Sequence, residues 1–299
     1  VGLKTQPLGW LCGITTTVTA TIVAVSIGNF NGHEGVFAQT TQKIAPPSPL
    51  VQPKALRSTS QFCPGDLALA ITSIVRSPKF ETAQWGILIE PLAEPATLYR
   101  YNPDALLIPA SNVKLLTTAA ALRMVDDRTP KTFATLEKWI QIVNRESDNA
   151  SADALLRHIG GQNAVRRVLT SLGVNPASYT QFDGSGLSRK NRVKPSTFVQ
   201  LLKGMYTADE NGVFYSSLPV AGVSGTLRNR FRKTPVEGKV HAKTGTLNGV
   251  RALSGYLEAP NYGTIAFSIV VNQSEQSGDV LVQAIDQIVL QTAQVTRCD

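Results

Sequence analysis

The chain has 299 residues, 42% of them hydrophobic and 17% charged, with a formal net charge of +8 at pH 7. These proportions exclude a disordered chain and are enough for one sizeable core or two small ones. The positive charge would suit a polyanionic partner, but the basic residues are scattered, and the densest cluster (Arg228, Arg230, Arg232 and Lys233) is too short for a nucleic-acid stripe.

Residues 8–28, "LGWLCGITTTVTATIVAVSIG", are uncharged and mostly apolar, follow Lys4, and lead into "GVFAQ". That order of regions predicts a secretory signal over residues 1–38, cleaved after Ala38; an uncleaved membrane anchor is the alternative. Residues 39–62 mix Pro, Ser, Thr and Gln without periodicity and read as a linker, so the domain is expected over residues 63–299. Removing the signal removes Cys12 and leaves Cys63 and Cys298 at the two ends of that domain. In an oxidising compartment such a pair predicts a disulfide; two free thiols are the other reading.

Helical spacing begins at "PGDLALAITSIVR", and two β-rich runs, "AQWGILIEPL" and "ATLYRYN", follow as a hairpin across Ala93, Glu94 and Pro95. Helical patterns then run from Ser111 to Val125, Thr132 to Arg145, Ala150 to Ile159, Gln162 to Leu172 and Thr197 to Tyr206. Near the C-terminus "KVHAKTGT", "VRALSGYLE" and "YGTIAFSIVVN" alternate like antiparallel strands before a final amphipathic helix. Strands from both ends sharing one sheet, with helices between, make the expected fold α+β with two lobes and a crevice.

Ser111 and Lys114 are three residues apart at the start of an apolar helical run, so both side chains share one face of its first turn. An amine held away from water there loses basicity and can take the serine proton, while the turn's unpaired N–H groups can receive an oxyanion. Alone, S-x-x-K is common and usually means a solvated lysine. Here it is followed in order by "SDN" (Ser147, Asp148, Asn149) and "KTGT" (Lys243, Thr244, Gly245, Thr246), the three-part signature of penicillin-binding proteins and serine β-lactamases. Ser147 is suited to relay the proton to a leaving amine, Asn149 to bond a substrate amide, and Lys243 to supply positive charge near the serines. Thr244 would hold a substrate carboxylate, the Thr246 backbone N–H would pair with that of Ser111 as the oxyanion hole, and Gly245 would let a peptide approach the strand edge.

Longer stretches, "IPASNVKLLTTAAAL", "ESDNASADALLRHIGG", "FDGSGLSRKNRVKPSTFVQLL", "LPVAGVSGTLRNRF" and "GKVHAKTGTLNGVRALSGYL", resemble one branch of that superfamily. It is the class C low-molecular-mass penicillin-binding proteins, the D-alanyl-D-alanine carboxypeptidase/endopeptidases. The resemblance implies a transpeptidase-like fold, with an antiparallel sheet flanked by N- and C-terminal helices and a mainly helical lobe. It also implies a periplasmic enzyme that removes the terminal D-alanine of peptidoglycan stem peptides, or cuts crosslinks, through an acyl-serine, and that captures β-lactams covalently. Members usually carry a long insertion between S-x-x-K and S-x-N, whereas here residues 115–146 are all that separates Lys114 from Ser147.

Two other readings stay open: a serine β-lactamase, for whose deacylation "NPASYTQFDGSGLS" offers Asp183 but no glutamate, and a non-catalytic peptidoglycan-binding remnant. A Ser-His-Asp hydrolase is disfavoured, because only His158 and His241 follow the signal and no G-x-S-x-G is present. No cofactor, metal or nucleic-acid partner is expected, since neither a Cys/His cluster with metal spacing nor a phosphate-binding glycine loop occurs; membrane contact would come only from residues 8–28. Asp183 and Ser185 are expected to shape the crevice wall, and His241 to be an ordinary strand histidine.

Overall fold

The computed structural model describes residues 61–124, 130–209, 211–273 and 275–298; the expected signal and nearly all of the expected linker lie outside them. The alternating segments form one five-stranded antiparallel sheet in the order β2-β1-β7-β6-β5. Its strands are β1 (Gln84–Pro91), β2 (Tyr99–Tyr101), β5 (Val240–Leu247), β6 (Val250–Ala259) and β7 (Gly263–Asn272). β3 (Tyr179–Thr180) and β4 (Arg192–Val193) make a separate two-stranded pair.

Alternation along β1 explains why the sheet carries a layer on each face. Ile87 and Ile89 face one way, into a core with Leu67 and Ile71 of α1 (Pro64–Val75) and Leu281, Ile285 and Ile288 of α8 (Gly278–Thr292). Leu88 faces the other way and joins the core of the helical lobe. That lobe contains α2 (Lys114–Met124), α3 (Pro130–Gln141), α4 (Asn149–His158), α5 (Gly161–Ser171), α6 (Pro195–Ala208) and the short α7 (Val213–Ser217). α2 is buried on every side from Lys114 to Leu122, so its run "LLTTAAAL" has no polar face because none of it meets water. The first and last helices are tied together by a disulfide between Cys63 and Cys298, 235 residues apart in sequence.

The expected order of helix, two strands, helical middle, three strands and helix matches this architecture. α7 and the β3–β4 pair leave no signal in the sequence, because each is too short for periodicity to register. The order of strands in the sheet leaves β5 at its edge, which decides where the site can form.

Candidate active site

Ser111 lies in a 3-10 turn, Ala110–Val113, and Lys114 follows as the first residue of α2. The expected single helix from Ser111 is thus split, with Ala110 in the left-handed region at φ 48°, a conformation that costs a residue bearing a Cβ about 1–2 kcal/mol. Asn112 anchors the turn to the sheet: its Nδ2 donates to Ser254 Oγ at 2.7 Å, and Ser254 pairs with Ser268 at 2.9 Å. The fully buried Lys114 Nζ reaches Ser111 Oγ at 2.9 Å, Asn149 Oδ1 at 2.8 Å and the backbone carbonyl of Ser185.

Each residue of "SDN" does a different job. The π-helical segment Ile142–Glu146 ends at Ser147, which takes the left-handed conformation (φ 60°) and directs its hydroxyl to Lys243 Nζ, 2.8 Å away. Asp148 caps α4 by accepting from the Ser151 N–H at 2.7 Å, and those bonds hold its carboxyl below the ordinary range. Asn149, the first residue of α4, turns its side chain back to Lys114.

β5 completes the site from the sheet edge. Lys243 is fully buried, with a second contact to the Thr244 carbonyl at 3.1 Å. The Ala242 N–H points outward and donates to Pro219 O at 3.0 Å, so by strand alternation the N–H groups of Thr244 and Thr246 also point away from β6. Gly245 cannot be larger, because a Cβ there would lie 2.6 Å from Pro109 O and 3.2 Å from Asn112 Oδ1, beside the Ser111 turn. Thr244 Oγ1 bonds Thr226 Oγ1 at 2.7 Å, placing a second hydroxyl beside it that the motif did not reveal. His241 is half-buried and stacked on Tyr215, with ring centroids 4.3 Å apart, and its pKa is lowered by burial.

Electrostatics make Lys114 a base within physiological range. Burial lowers its ammonium from 10.5 to about 8, although Asp153, Asp183 and Asp148 pull the other way. Lys243 is pushed well below its ordinary value by burial first and by the charge of Lys114 second. The cationic Lys114 has three N–H bonds and three acceptors. As the free amine it keeps two, to Asn149 and Ser185, and offers its lone pair to the Ser111 hydroxyl.

The Ser185 carbonyl, also 3.3 Å from Ser111 Oγ as its acceptor, was not foreseen, since a backbone oxygen leaves no mark in sequence. Asp183, weighed above as a deacylation base, is instead occupied within its loop, accepting from the N–H groups of Gly186 and Ser188 at 2.8 and 2.7 Å and from Asn191 Nδ2 at 2.8 Å.

A half-buried serine on a buried lysine, between a helical lobe and the edge of an antiparallel sheet and faced by a second serine and lysine, defines the active-serine fold of penicillin-binding proteins and β-lactamases. Similar architectures are penicillin binding protein 4 from Haemophilus influenzae (TM-score 0.64, 15% identity, 76% of this chain and 99% of that one) and the β-lactamase from Streptomyces albus G (TM-score 0.60, 19% identity, 78% and 100%). Such identities speak for the fold alone. At the level of sequence the chain belongs to the D-Ala-D-Ala carboxypeptidase 3 (S13) family, whose profile matches residues 67–135 and 129–295. It is 41% identical over 168 residues to the D-alanyl-D-alanine carboxypeptidase of an Actinomadura species (51% of this chain, 31% of that protein). It is 37% identical over 164 residues to the penicillin-sensitive carboxypeptidase A of Dictyostelium discoideum (48% and 31%). The aligned region thus spans about a third of the length of these relatives.

Proposed function

We propose that the protein is a serine-type D-Ala-D-Ala carboxypeptidase, acting on peptidoglycan stem peptides through an acyl-Ser111 intermediate and captured covalently by β-lactams. The observation that carries the reading is the Ser111 Oγ–Lys114 Nζ contact at 2.9 Å, with a lysine that titrates at about 8.

In the proposed sequence the Lys114 free amine takes the Ser111 proton as Oγ attacks the carbonyl carbon between the two D-alanines. The outward N–H of Thr246 and the N–H of Ser111 receive the oxyanion. Ser147, hydrogen-bonded to Lys243, gives its proton to the leaving amine as the C–N bond breaks and regains one from the Lys114 ammonium, which returns to the free amine, and D-alanine departs with its carboxylate held by Thr244 and Thr226. Water then enters as nucleophile with Lys114 again as base, which frees the shortened peptide and restores the Ser111 hydroxyl. Asn149 Oδ1 is engaged by Lys114, so its Nδ2 is the end left to bond a substrate carbonyl. Export to an oxidising compartment outside the cytoplasm fits this substrate and the Cys63–Cys298 disulfide.

The test is release of D-alanine from an N-acylated tripeptide ending in D-Ala-D-Ala. The wild-type chain should release it and Ser111→Ala should not. No release from a wild-type sample that retains its disulfide would refute the carboxypeptidase reading, and rapid nitrocefin turnover would replace it with a β-lactamase.

A further inference from the structure

The carbonyl of Ser185 meets both members of the reacting pair, and something must hold it there. Its loop is wedged between two backbones: a Cβ on Gly184 would lie 2.4 Å from Ala152 O of α4, and one on Gly186 would lie 2.1 Å from Ala110 O of the nucleophile turn. Within that wedge a single oxygen, Asp153 Oδ1, accepts from the N–H groups of Gly184 and Ser185, each at 2.8 Å. Asp153 lies one helical turn after Asn149 on α4, so both occupy the same face. One helix face therefore grips Lys114 twice, directly through Asn149 Oδ1 and indirectly through the loop carbonyl. Asp183 bonds only within its own loop and sets its shape, whereas Asp153 reaches in from another element and sets its position.

We infer that Asp153 is a positioning residue for the acylation step, aiming the Ser185 carbonyl at Ser111 Oγ and Lys114 Nζ from across the loop. The inference rests on the acyl-serine reading above. A displaced carbonyl would leave Lys114 short of one acceptor and free its chain to swing from Ser111, and misplacement by about 1 Å costs about a hundredfold in rate. The charged groups around Lys114 are Asp148 and Asp153 from α4 and its cap, Asp183 from the loop, and Lys243 from β5.

Two substitutions separate position from charge. Asp153→Asn keeps an Oδ1 that can accept both N–H bonds but removes a charge that favours the Lys114 ammonium. Asp153→Ala removes both. The full chain and each variant would be titrated with a fluorescent penicillin across pH, with melting curves recorded alongside. Asp153→Asn should keep the high-pH plateau rate within about threefold, with the rising limb below it moved to lower pH. Asp153→Ala should lose about a hundredfold from the plateau. A folded Asp153→Ala protein with the wild-type plateau overturns the inference. If that variant does not fold, Asp153→Asn decides, and a plateau that falls about a hundredfold although both N–H bonds can still be accepted overturns it. A wild-type chain that takes up no penicillin sinks the acyl-serine reading itself, which is distinguishable from a reactive wild type with insensitive variants.

Discussion

The pH dependence of acylation is the sharpest consequence of burying Lys114. A lysine at its ordinary 10.5 would be a free amine in about one molecule in three thousand at pH 7; lowered to about 8, it is free in about one in ten. If the rate follows the free-amine fraction, the second-order rate constant for penicillin should rise about tenfold from pH 7 to pH 9 and then level off. The sign follows from the cause: burial disfavours the cation, so the base is available at lower pH than in water. Stopped-flow mixing with a fluorescent penicillin measures the constant directly, with melting curves to exclude unfolding at the extremes. A rate still climbing tenfold between pH 9 and pH 10, or one flat across the range, would refute the assignment of Lys114 as a base with lowered pKa.

Three further predictions concern the parts that hold this pair. Gly186→Ala places a Cβ 2.1 Å from Ala110 O at a position with φ 85°, so acylation should fall by about a hundredfold and stability by about 1–3 kcal/mol, read from penicillin labelling and urea melts. Replacing Cys63 and Cys298 together by Ser should cost up to about 5 kcal/mol in the chain-entropy account of a long loop, by denaturant titration, yet leave acylation nearly unchanged because the bridge joins α1 and α8 across the sheet from Ser111. Lys243→Met removes the hydrogen bond to Ser147 Oγ while filling the buried space. It should lower kcat for D-alanine release by about a hundredfold or more in a coupled D-alanine assay, without a comparable fall in melting temperature.

Much of this arrangement is legible in the chain, for reasons that differ residue by residue. β1, β6 and β7 are legible as strands because both of their faces are buried, so they read as short, nearly continuous apolar runs such as "QWGILIEP" and "GTIAFSIVVN". Ser111, Lys114, Ser147, Asn149 and Lys243 are visible because the proposed chemistry calls for those side chains in the ordered motifs S-x-x-K, S-D-N and K-T-G. The left-handed backbone at Ala110 and Ser147 is not visible, since neither residue type favours positive φ; tertiary contacts impose it. Nor does sequence reveal the Ser185 carbonyl or the acceptor role of Asp153. A main-chain oxygen has no code of its own, and helical spacing places Asp153 beside Asn149 without saying which loop it will meet. Thr226 is similarly silent until the fold brings it to Thr244.

The central claim is that Ser111 is an acylating nucleophile, and intact-mass spectrometry of the full chain with and without benzylpenicillin tests it most directly. The account predicts a mass increase of one intact penicillin, mapped by peptide digestion to Ser111 and absent in Ser111→Ala. A folded, disulfide-bonded protein that gains no mass, or one labelled at another residue, would contradict it.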